Sequence, residues 1–511
     1  MRVPMKTWQR LLCAGTVFSA VAASHCDSPK FSGNADLGGG GKNDMATGGG
    51  GNPDLAGGGG NPDFATANNP DLAMTPLALT MVSPALGPST GGTLLTLTGT
   101  GFASGVTVTI GGFAAAITQI TPTQLMVTLP AAPLTKGQVP IIVRNQDGTM
   151  VNRADLFAYY YGTVKFSAAV AIPVGSNPYS VAIGDLNNNN KQDLVVANYF
   201  DNTVGVLLGN GDGTFGAMGT QASGMRPRGV ALADFNNDAY LDVVSVNYSS
   251  QSISVFINDK TGVLGTRTDT VTASMTGLTT NPVGIDAKVA TNSTYPDVVT
   301  ANSASDDASV FLSKAGGGLN SAQSRVASRA PSAVTLADVN ADTYLDLVIA
   351  NQINGSCTVY LGDGKGGFTF KGTYSAGLMP AAVAATDFSG DGKVDLLVSL
   401  AMDNRVALLT GNGDGTFNMP VSYSAGMQPA GLALGDFNGD NRPDIATALY
   451  VEGAVAILLN VNGVPGAPMV LPAGSMPQGI AVGDLDSDGR PDVVVANSGG
   501  STLSLFLNKS Q

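Results

Sequence analysis

The chain has 511 residues but only one histidine, one tryptophan and three cysteines. The histidine, His25, and the tryptophan, Trp8, both lie near the amino terminus, before any segment with the pattern of a folded domain. Without a histidine, a folded domain lacks the usual general base, the usual activator of a nucleophile and a common zinc ligand. We therefore expect that the protein is not an enzyme.

Charge and cysteine usage argue against a nucleic-acid-binding protein and against a disulfide-stabilised fold. Charged residues form 12% of the sequence, and its net charge is −13. An acidic chain without a basic cluster is a poor partner for nucleic acid, so we expect none. The cysteines (Cys13, Cys26 and Cys357) form no disulfide framework, and Cys357, alone in a predicted strand, is expected to be a buried thiol. No segment carries a sustained helical period.

The amino-terminal segment has the features of an export signal. Within residues 1–25, basic residues precede an apolar run from Leu11 to Ala23 that is too short for a permanent membrane span. Cys26 follows, in an arrangement that resembles bacterial lipoproteins, where this cysteine is lipidated. His25 departs from that pattern, which has a small residue there. Two outcomes stay open: an outer-membrane or cell-surface lipoprotein anchored through Cys26, or a secreted protein.

Residues 26–76 are of low complexity, with glycine runs followed by Asn-Pro-Asp. Such a composition cannot build a core and behaves as a flexible coil, with a root-mean-square reach of about 40 Å for 50 residues. We interpret this segment as a disordered tether.

Six nine-residue acidic segments recur about every 49 residues in the second half of the chain, with a hydrophobic strand predicted on either side of each. Their first, third, fifth and ninth positions carry oxygen-bearing side chains. These are Asp185, Asn187, Asn189 and Asp193; Asp234, Asn236, Asp238 and Asp242; Asp338, Asn340, Asp342 and Asp346; Asp387, Ser389, Asp391 and Asp395; Asp436, Asn438, Asp440 and Asp444; and Asp484, Asp486, Asp488 and Asp492.

Oxygen atoms at alternating positions of a tight loop are the ligands that Ca²⁺ requires. Asx and glycine residues also form ordinary turns. Turn formation explains one such loop, but it does not explain six loops with the same four oxygens. We therefore predict about six bound Ca²⁺, one per loop. A structural role for this calcium is favoured over one in which it bridges a ligand.

A fixed period of this length is typical of repeat proteins in which each unit forms one blade. Each unit contains four short predicted strands, and such units close into a β-propeller. The gap between Asp234 and Asp338 spans two periods, so a seventh unit is expected to begin near Asp286. Lys288 would stand at its third position and its closing carboxylate would be displaced to Asp297, so no metal is predicted there.

The ends of the repeat region predict how the ring closes. An outer strand is expected from Phe215 in the first unit, whereas the last unit stops before its outer strand. The segment around Phe166 stands at the same distance before Asp185 as the outer strands stand before later loops. We expect this segment to complete the seventh blade.

With Gly-Asp-Gly-Thr-Phe closing several units, residues 161–511 resemble FG-GAP (VCBS-type) repeats, the seven-bladed propeller also found at the head of integrin α subunits. The resemblance implies that each loop binds Ca²⁺ through the four listed side chains and the carbonyl at position 7. Asn189 and Ser389 depart from it slightly.

Residues 77–160, with Val82-Ser-Pro84 and the Gly91-Gly92 turn, resemble an IPT/TIG domain, which implies an immunoglobulin-like sandwich used as a spacer. The expected fold class is therefore all-β, with a seven-bladed β-propeller preceded by an immunoglobulin-like β-sandwich.

These resemblances imply a calcium-binding bacterial recognition or adhesion module on a flexible tether. Its partner would be an extracellular glycan or a surface protein, its membrane contact would be limited to an N-terminal lipid, and it would be a monomer. An extracellular polysaccharide-processing enzyme and a purely structural envelope protein are the alternatives. Because tryptophan is missing, a sugar-stacking surface would need tyrosines such as Tyr179, Tyr199 and Tyr248, for which core and contact roles both stay open. The sequence identifies no ligand-binding residue.

Overall fold

A computed structural model describes residues 75–132, 137–314 and 318–510. The expected signal peptide, Cys26 and almost the whole tether lie outside these residues. Every regular element of the described residues is a β-strand. None of them belongs to a helix long and apolar enough to cross a membrane.

The first domain is a β-sandwich. Two four-stranded sheets, ordered β1-β3-β7-β6 and β10-β9-β4-β5, face each other, and β2 and β8 flank β11. In β3 buried residues alternate with less buried ones, which places Leu95 and Leu97 in the core. The strands are β1 Ala78–Ser83, β2 Leu86–Pro88, β3 Leu94–Thr100, β4 Thr107–Ile110, β5 Phe113–Ala114, β6 Ala116–Ile120, β7 Gln124–Thr128, β8 Gly137–Gln138, β9 Ile141–Arg144, β10 Met150–Arg153 and β11 Ala158–Tyr160.

Seven four-stranded antiparallel sheets follow, and we number them as blades 1 to 7. Blade 1 contains β13 Pro178–Gly184, β14 Asp193–Asn198, β15 Thr203–Leu207 and β16 Gly219–Ala222; blade 2 contains β17 Pro227–Ala233, β18 Asp242–Asn247, β19 Ser252–Phe256 and β20 Thr268–Val271; blade 3 contains β21 Pro282–Lys288, β22 Asp297–Asn302, β23 Asp307–Phe311 and β24 Gln323–Val326; blade 4 contains β25 Pro331–Ala337, β26 Asp346–Asn351, β27 Ser356–Gly362 and β28 Phe368–Ser375. Blade 5 contains β29 Pro380–Thr386, β30 Asp395–Leu400, β31 Arg405–Leu409 and β32 Val421–Ser424; blade 6 contains β33 Pro429–Gly435, β34 Asp444–Leu449, β35 Ala454–Leu458 and β36 Met469–Pro472; blade 7 contains β37 Pro477–Gly483, β38 Asp492–Asn497, β39 Thr502–Phe506 and β12 Val170–Pro173.

The first strand of each blade lies innermost and contacts the first strand of the next blade, and β37 contacts β13. The ring is therefore closed, and the predicted seven-bladed propeller is confirmed. The second strand of every blade is buried along its whole length, because it lies between two strands of its own blade and between two neighbouring blades. Cys357 lies in β27 and is fully buried, as predicted.

The ring is closed by both ends of the propeller sequence. β12 pairs with β39 from Val170↔Leu505 to Pro173↔Thr502, and Phe166 forms a bridge with Asn508. The prediction that the segment around Phe166 completes the last blade is confirmed. The predicted start of the outer strand in blade 1 is wrong by four residues: Phe215 forms only a bridge with Gly209, and β16 begins at Gly219.

The register predicted for blade 3 is also wrong. Asp286 lies inside β21, buried and ion-paired with Lys288 at 2.9 Å, and it does not begin a loop. Lys288 pairs with Asp297, as Gly184 pairs with Asp193 in blade 1, so Asp297 is the ninth position and is not displaced. The first position is Val289. The cause is an insertion: ten residues separate β20 from β21, whereas four separate the corresponding strands of other blades.

Candidate metal centres

The six acidic loops lie at one end of the propeller, where each joins the first strand of a blade to the second. We call this the metal-loop end, and we number each loop by its blade. The flanking strands fix where each loop begins and ends. Gly184↔Asp193 is the last pair before loop 1, and the other blades repeat this register. The structure thus places the four side chains predicted from the sequence on one loop in each of six blades.

The first-position carboxylate folds each loop around itself. In loop 6, Asp436 Oδ1 accepts the backbone N–H of Asp440 and Oδ2 accepts that of Asn441, both at 2.9 Å. Asp440 Oδ1 in turn accepts the N–H of Arg442 at 2.9 Å. The same bonds occur in the other five loops. The carboxylates are therefore held in position by the loop's own amides.

Oxygens at the third position provide a test of whether a metal fits. Asn187 Oδ1, Ser389 Oγ and Asp486 Oδ1 are buried and accept no hydrogen bond from the described residues. A buried polar atom without a partner is costly and needs an explanation. All three are predicted ligands of loops 1, 5 and 7, and a cation with oxygen ligands would satisfy them. The donor set therefore fits Ca²⁺.

The ninth-position aspartate has a second task that the sequence analysis missed. Asp444 is fully buried; its Oδ2 accepts the N–H of Phe437 at 2.9 Å and its Oδ1 accepts that of Asn460 at 2.7 Å. Its counterparts in the other blades make the same two kinds of contact, including Asp297 of blade 3, which receives the N–H groups of Thr291 and Ser313. This residue joins the loop to the third strand even where the loop has lost its other acids.

Burial raises the proton affinity of several ninth-position carboxylates. Burial raises the pKa of Asp444 to about 8, and the charges of Asp440 and Asp436 add to that effect. Burial likewise raises the pKa of Asp492 to about 7 and those of Asp242 and Asp346 to about 6, with neighbouring carboxylates contributing to each. A divalent cation would offset the cost of keeping these groups charged.

Loop 7 is the most acidic of the six. Oxygens of Asp484, Asp486 and Asp492 lie within 4.8 Å of one another, and no other acid, His or Cys cluster of the described residues is as compact. Its third position is an aspartate, whereas the other loops have asparagine or serine there. Two basic side chains lie against loop 7: Lys509 Nζ contacts Asp486 Oδ2 at 2.5 Å, and Arg490 pairs with Asp488.

Neighbouring blades are tied to these loops through the second position. Asn460 Nδ2 donates to Phe388 O at 2.8 Å, and Asn508 Nδ2 donates to Phe437 O at 3.0 Å, so blades 6 and 7 hold loops 5 and 6. Asn258 of blade 2 holds loop 1 in the same way. The signal for these links was present in the sequence, because each asparagine follows its ninth-position aspartate by 16 residues.

The tyrosines proposed for sugar stacking lie at the opposite end of the propeller. Tyr179 is only 6% exposed, and the Arg228 guanidinium lies 4.5 Å from its ring centre. Arg228 also lies 4.9 Å from the ring of Tyr248. Tyr199 and Tyr248 are half-buried against the core. Tyr179 is therefore part of the interior, and the three rings do not form an open platform.

Comparison with protein families agrees with this architecture. Residues 77–159 match the IPT/TIG domain. Residues 185–245, 338–398 and 387–447 match an FG-GAP-like repeat, and residues 476–508 match the FG-GAP repeat. The chain contains an IPT/TIG domain and FG-GAP repeats. The matched FG-GAP segments leave out the loop of blade 3, where only the ninth position keeps its acid. No curated protein matched the sequence.

Solved structures that align with most of this FG-GAP protein have low sequence identity to it. An auxiliary nutrient binding protein from Bacteroides ovatus is 12% identical, with 85% of this chain and 99% of that chain covered at a TM-score of 0.39. A periplasmic gluconolactonase of Pseudomonas aeruginosa is 14% identical (72% and 97% covered, TM-score 0.45), and a functionally unknown protein from Desulfotomaculum acetoxidans is 13% identical (65% and 96% covered, TM-score 0.44). Likenesses of this size carry no inference about activity.

Proposed function

We propose that this chain is an exported, calcium-stabilised recognition module that binds its partner at the end of the propeller opposite to the metal-loop end. FG-GAP repeats are consistent with a binding or adhesion module, and the fit of the loops to Ca²⁺ supports the calcium. The observation that carries the proposal is a set of protruding apolar side chains, the apolar rim, at that opposite end. The rim consists of Phe200, Met225, Ile353, Leu378, Met402, Met427, Val451 and Met476, which are 45–63% exposed.

The position of the rim follows from the strand order. In blade 5, Leu378 precedes the first strand and Met402 follows the second, so both lie where Pro380 pairs with Leu400. The metal loop lies at the other end of the same two strands, next to the pair formed by Thr386 and Asp395. Large side chains exposed together in this way mark interaction sites more often than chance surface exposure does.

The loops that carry the rim are fixed by contacts between blades. Asn404 Oδ1 of blade 5 accepts the N–H of Gln428 at 2.8 Å, and Asn202 Oδ1 of blade 1 accepts that of Arg226 at 2.7 Å. Gln428 and Arg226 have φ values of 54° and 57°, a conformation that side chains other than glycine and asparagine rarely adopt. Such backbone persists only where its surroundings determine it, so the rim is preorganised.

The chemistry of the rim favours a protein partner over a glycan. Four of its eight members are methionines, whose flexible thioethers adapt to irregular apolar surfaces and are enriched at protein interfaces. Sugar recognition instead relies on accessible aromatic faces, and of the aromatic rings at this end only Phe200 belongs to the rim. We therefore assign a surface protein with exposed apolar side chains as the partner.

Calcium would stabilise the propeller rather than contact the partner, because the loops and the rim lie at opposite ends. The residues that would hold it are the four side chains of each loop and the seventh-position carbonyl. A bound ion supplies the positive charge that the crowded carboxylates lack. Blade 3 has Val289, Thr291 and Ser293 at positions 1, 3 and 5, so we still predict no metal there.

Metal counting tests the loop assignment. We expect Asp436→Ala combined with Asp440→Ala to remove about one of six bound Ca²⁺, because two of the three predicted carboxylate ligands of loop 6 are lost. Asp286→Ala, which changes an acid of β21 outside any loop, should remove none. Equilibrium dialysis followed by elemental analysis gives the count. The same count in wild type and in the loop 6 variant would contradict the assignment.

Binding measurements test the recognition face. We expect the labelled, calcium-loaded chain to bind intact bacterial cells saturably and to bind a glycan array weakly or not at all. Leu378→Asp with Met402→Asp should weaken cell binding at least about tenfold, because it places two charges in the apolar contact. Met419→Asp with Val421→Asp adds the same charge on exposed positions of blade 5 away from the rim, and it should bind like wild type. A folded wild-type chain that binds neither surface contradicts the recognition function.

Export rests on the signal-like residues 1–25, and anchoring through Cys26 remains part of the proposal. A lipid on Cys26 would place the propeller at the end of the tether, away from the membrane surface. Mass spectrometry of the mature amino terminus distinguishes a lipidated Cys26 from a free terminus.

A further inference from the structure

The segment that joins the IPT/TIG domain to the propeller lies on loops 6 and 7. Tyr161 donates its backbone N–H to Asn438 O at 2.5 Å, and Asn438 is the third position of loop 6. The ring of Phe166 meets that of Phe437, the second position of the same loop, edge to face at 5.5 Å. Arg490, the seventh position of loop 7, lies 5.9 Å from the ring centre of Tyr161. The backbone and a side chain of loop 6, and a side chain of loop 7, therefore contact the joint.

Burial distinguishes loop 6 from the other five. Asn438 and Asp440 are 6% and 8% exposed, and no other fifth-position side chain is buried. Burial and the charge of Asp440 raise the pKa of Tyr160, which belongs to the last strand of the IPT/TIG domain. The covering of loop 6 thus comes from the joint itself.

A second connection passes through the carboxyl-terminal residues. Lys509 donates its backbone N–H to Lys165 O at 2.7 Å, and Lys165 donates its own to Ser510 Oγ at 3.2 Å. The ammonium of Lys509 lies against Asp486 and Asp488 of loop 7. A cation that enters loop 7 must compete with this ammonium for Asp486. Movement of Lys509 would then be transmitted to the joint through its backbone bonds to Lys165.

We propose that the cations of loops 6 and 7 lock the IPT/TIG domain to the propeller, so that calcium sets the stiffness of the joint between the two domains. This inference rests on the proposed function, because it requires that the loops bind Ca²⁺. The physical reason is that Asn438 supplies both a predicted ligand side chain and the carbonyl that receives Tyr161. A loop curled around an ion keeps that carbonyl in place, whereas mutual repulsion of Asp436, Asp440 and Asp444 loosens it when the ion is absent.

The distance between the two domains tests this proposal in the whole chain. Spin labels are placed at Gln119→Cys in β6 and Thr220→Cys in β16, which are both exposed positions, in a chain with Cys13 and Cys26 replaced by serine. The native Cys357 is fully buried and does not react. Double electron–electron resonance then gives the distribution of label distances. We expect one narrow distribution in calcium and a width at least about doubled in chelator.

Two loop variants separate this proposal from general loosening. Asp436→Ala with Asp440→Ala should broaden the distribution in calcium, because loop 6 then loses its ion together with the bonds by which Asp436 accepts the N–H groups of Asp440 and Asn441. Asp387→Ala with Asp391→Ala empties loop 5, whose second position is held by Asn460 of blade 6, and should leave the distribution narrow. Equal broadening by both variants, or a narrow distribution in a loop 6 variant that has lost its ion, overturns the lock alone. A folded wild-type chain that binds no calcium overturns the lock and the calcium of the proposed function together.

Discussion

Removing calcium is expected to lower the unfolding temperature of the propeller by about 10 to 20 °C. Calcium modules of extracellular proteins bind with dissociation constants of roughly 10⁻⁴ to 10⁻³ M, so an ion at ten to one hundred times its dissociation constant stabilises by about 1.4 to 2.7 kcal/mol per site. Six such sites, set against an unfolding entropy of about 2.1 cal/mol/K per residue, give a shift of that size.

The shift should be larger at pH 8 than at pH 5. Burial raises the pKa of Asp444 to about 8 and that of Asp492 to about 7 in the metal-free fold, above the ordinary value of 3.8. A carboxyl whose pKa is raised by folding favours the folded state at low pH, and that contribution is lost as the pH rises through the raised pKa. The metal-free propeller therefore loses stability between about pH 4 and 8, whereas an ion compensates the charged carboxylates.

Differential scanning calorimetry at both pH values, with 10 mM Ca²⁺ and with chelator, measures this effect. Magnesium at the same concentration is the control, because it prefers octahedral sites with several waters and should restore little of the loss. An unfolding temperature that is independent of calcium at pH 8 would contradict the structural role of the ions.

Asp297→Ala should cost about 3 kcal/mol of stability, and the cost should be the same in calcium and in chelator. The substitution leaves the N–H groups of Ala290, Thr291 and Ser313 without their acceptor, at roughly 1 to 3 kcal/mol for each buried group. Because blade 3 lacks the other acids, no ion is lost with Asp297. Its effect therefore isolates the role of the ninth position in joining loop and third strand.

Denaturant unfolding of wild type and variant, each with and without calcium, gives the comparison. Asp212→Ala is the matched control, since Asp212 also accepts a backbone N–H but is exposed on a turn, and its loss should change stability little. An Asp297→Ala penalty that vanishes in chelator would mean that blade 3 binds a metal after all.

Repetition made most of the fold predictable. Six loops in register set the number and length of the blades, and the position of Phe166 relative to Asp185 indicated the closing strand. Blade 3 was placed wrongly because Asp286 imitates a first position, and because the insertion before Pro282 lies in a loop whose length nothing in the sequence restricts. Pairing of Lys288 with Asp297 corrects the register, and pairing is a property of the folded sheet.

The candidate site was predictable only as far as local spacing reaches. Each loop is a stretch of nine residues, so its four oxygens could be read directly. The burial of Asn438 and Asp440 could not, because the covering residues Tyr160 and Tyr161 are almost 280 positions away in the chain. The apolar rim was missed for a related reason, since its members are spread over six blades and successive members are at least 24 residues apart along the chain.

The closing strand also determines how force would pass through the molecule. The polypeptide enters the propeller through β12, which is an outer strand of four residues paired only with β39. Tension between a partner on the apolar rim and the amino-terminal side of the chain would therefore reach the propeller at an outer strand with a single neighbour, and it would act on the joint before it acts on β12. The contacts of Tyr161 and Phe166 with loop 6 precede β12 along the chain, so such a pull would load them first. An ion in loop 6 would then protect the ring from being peeled open by a pull.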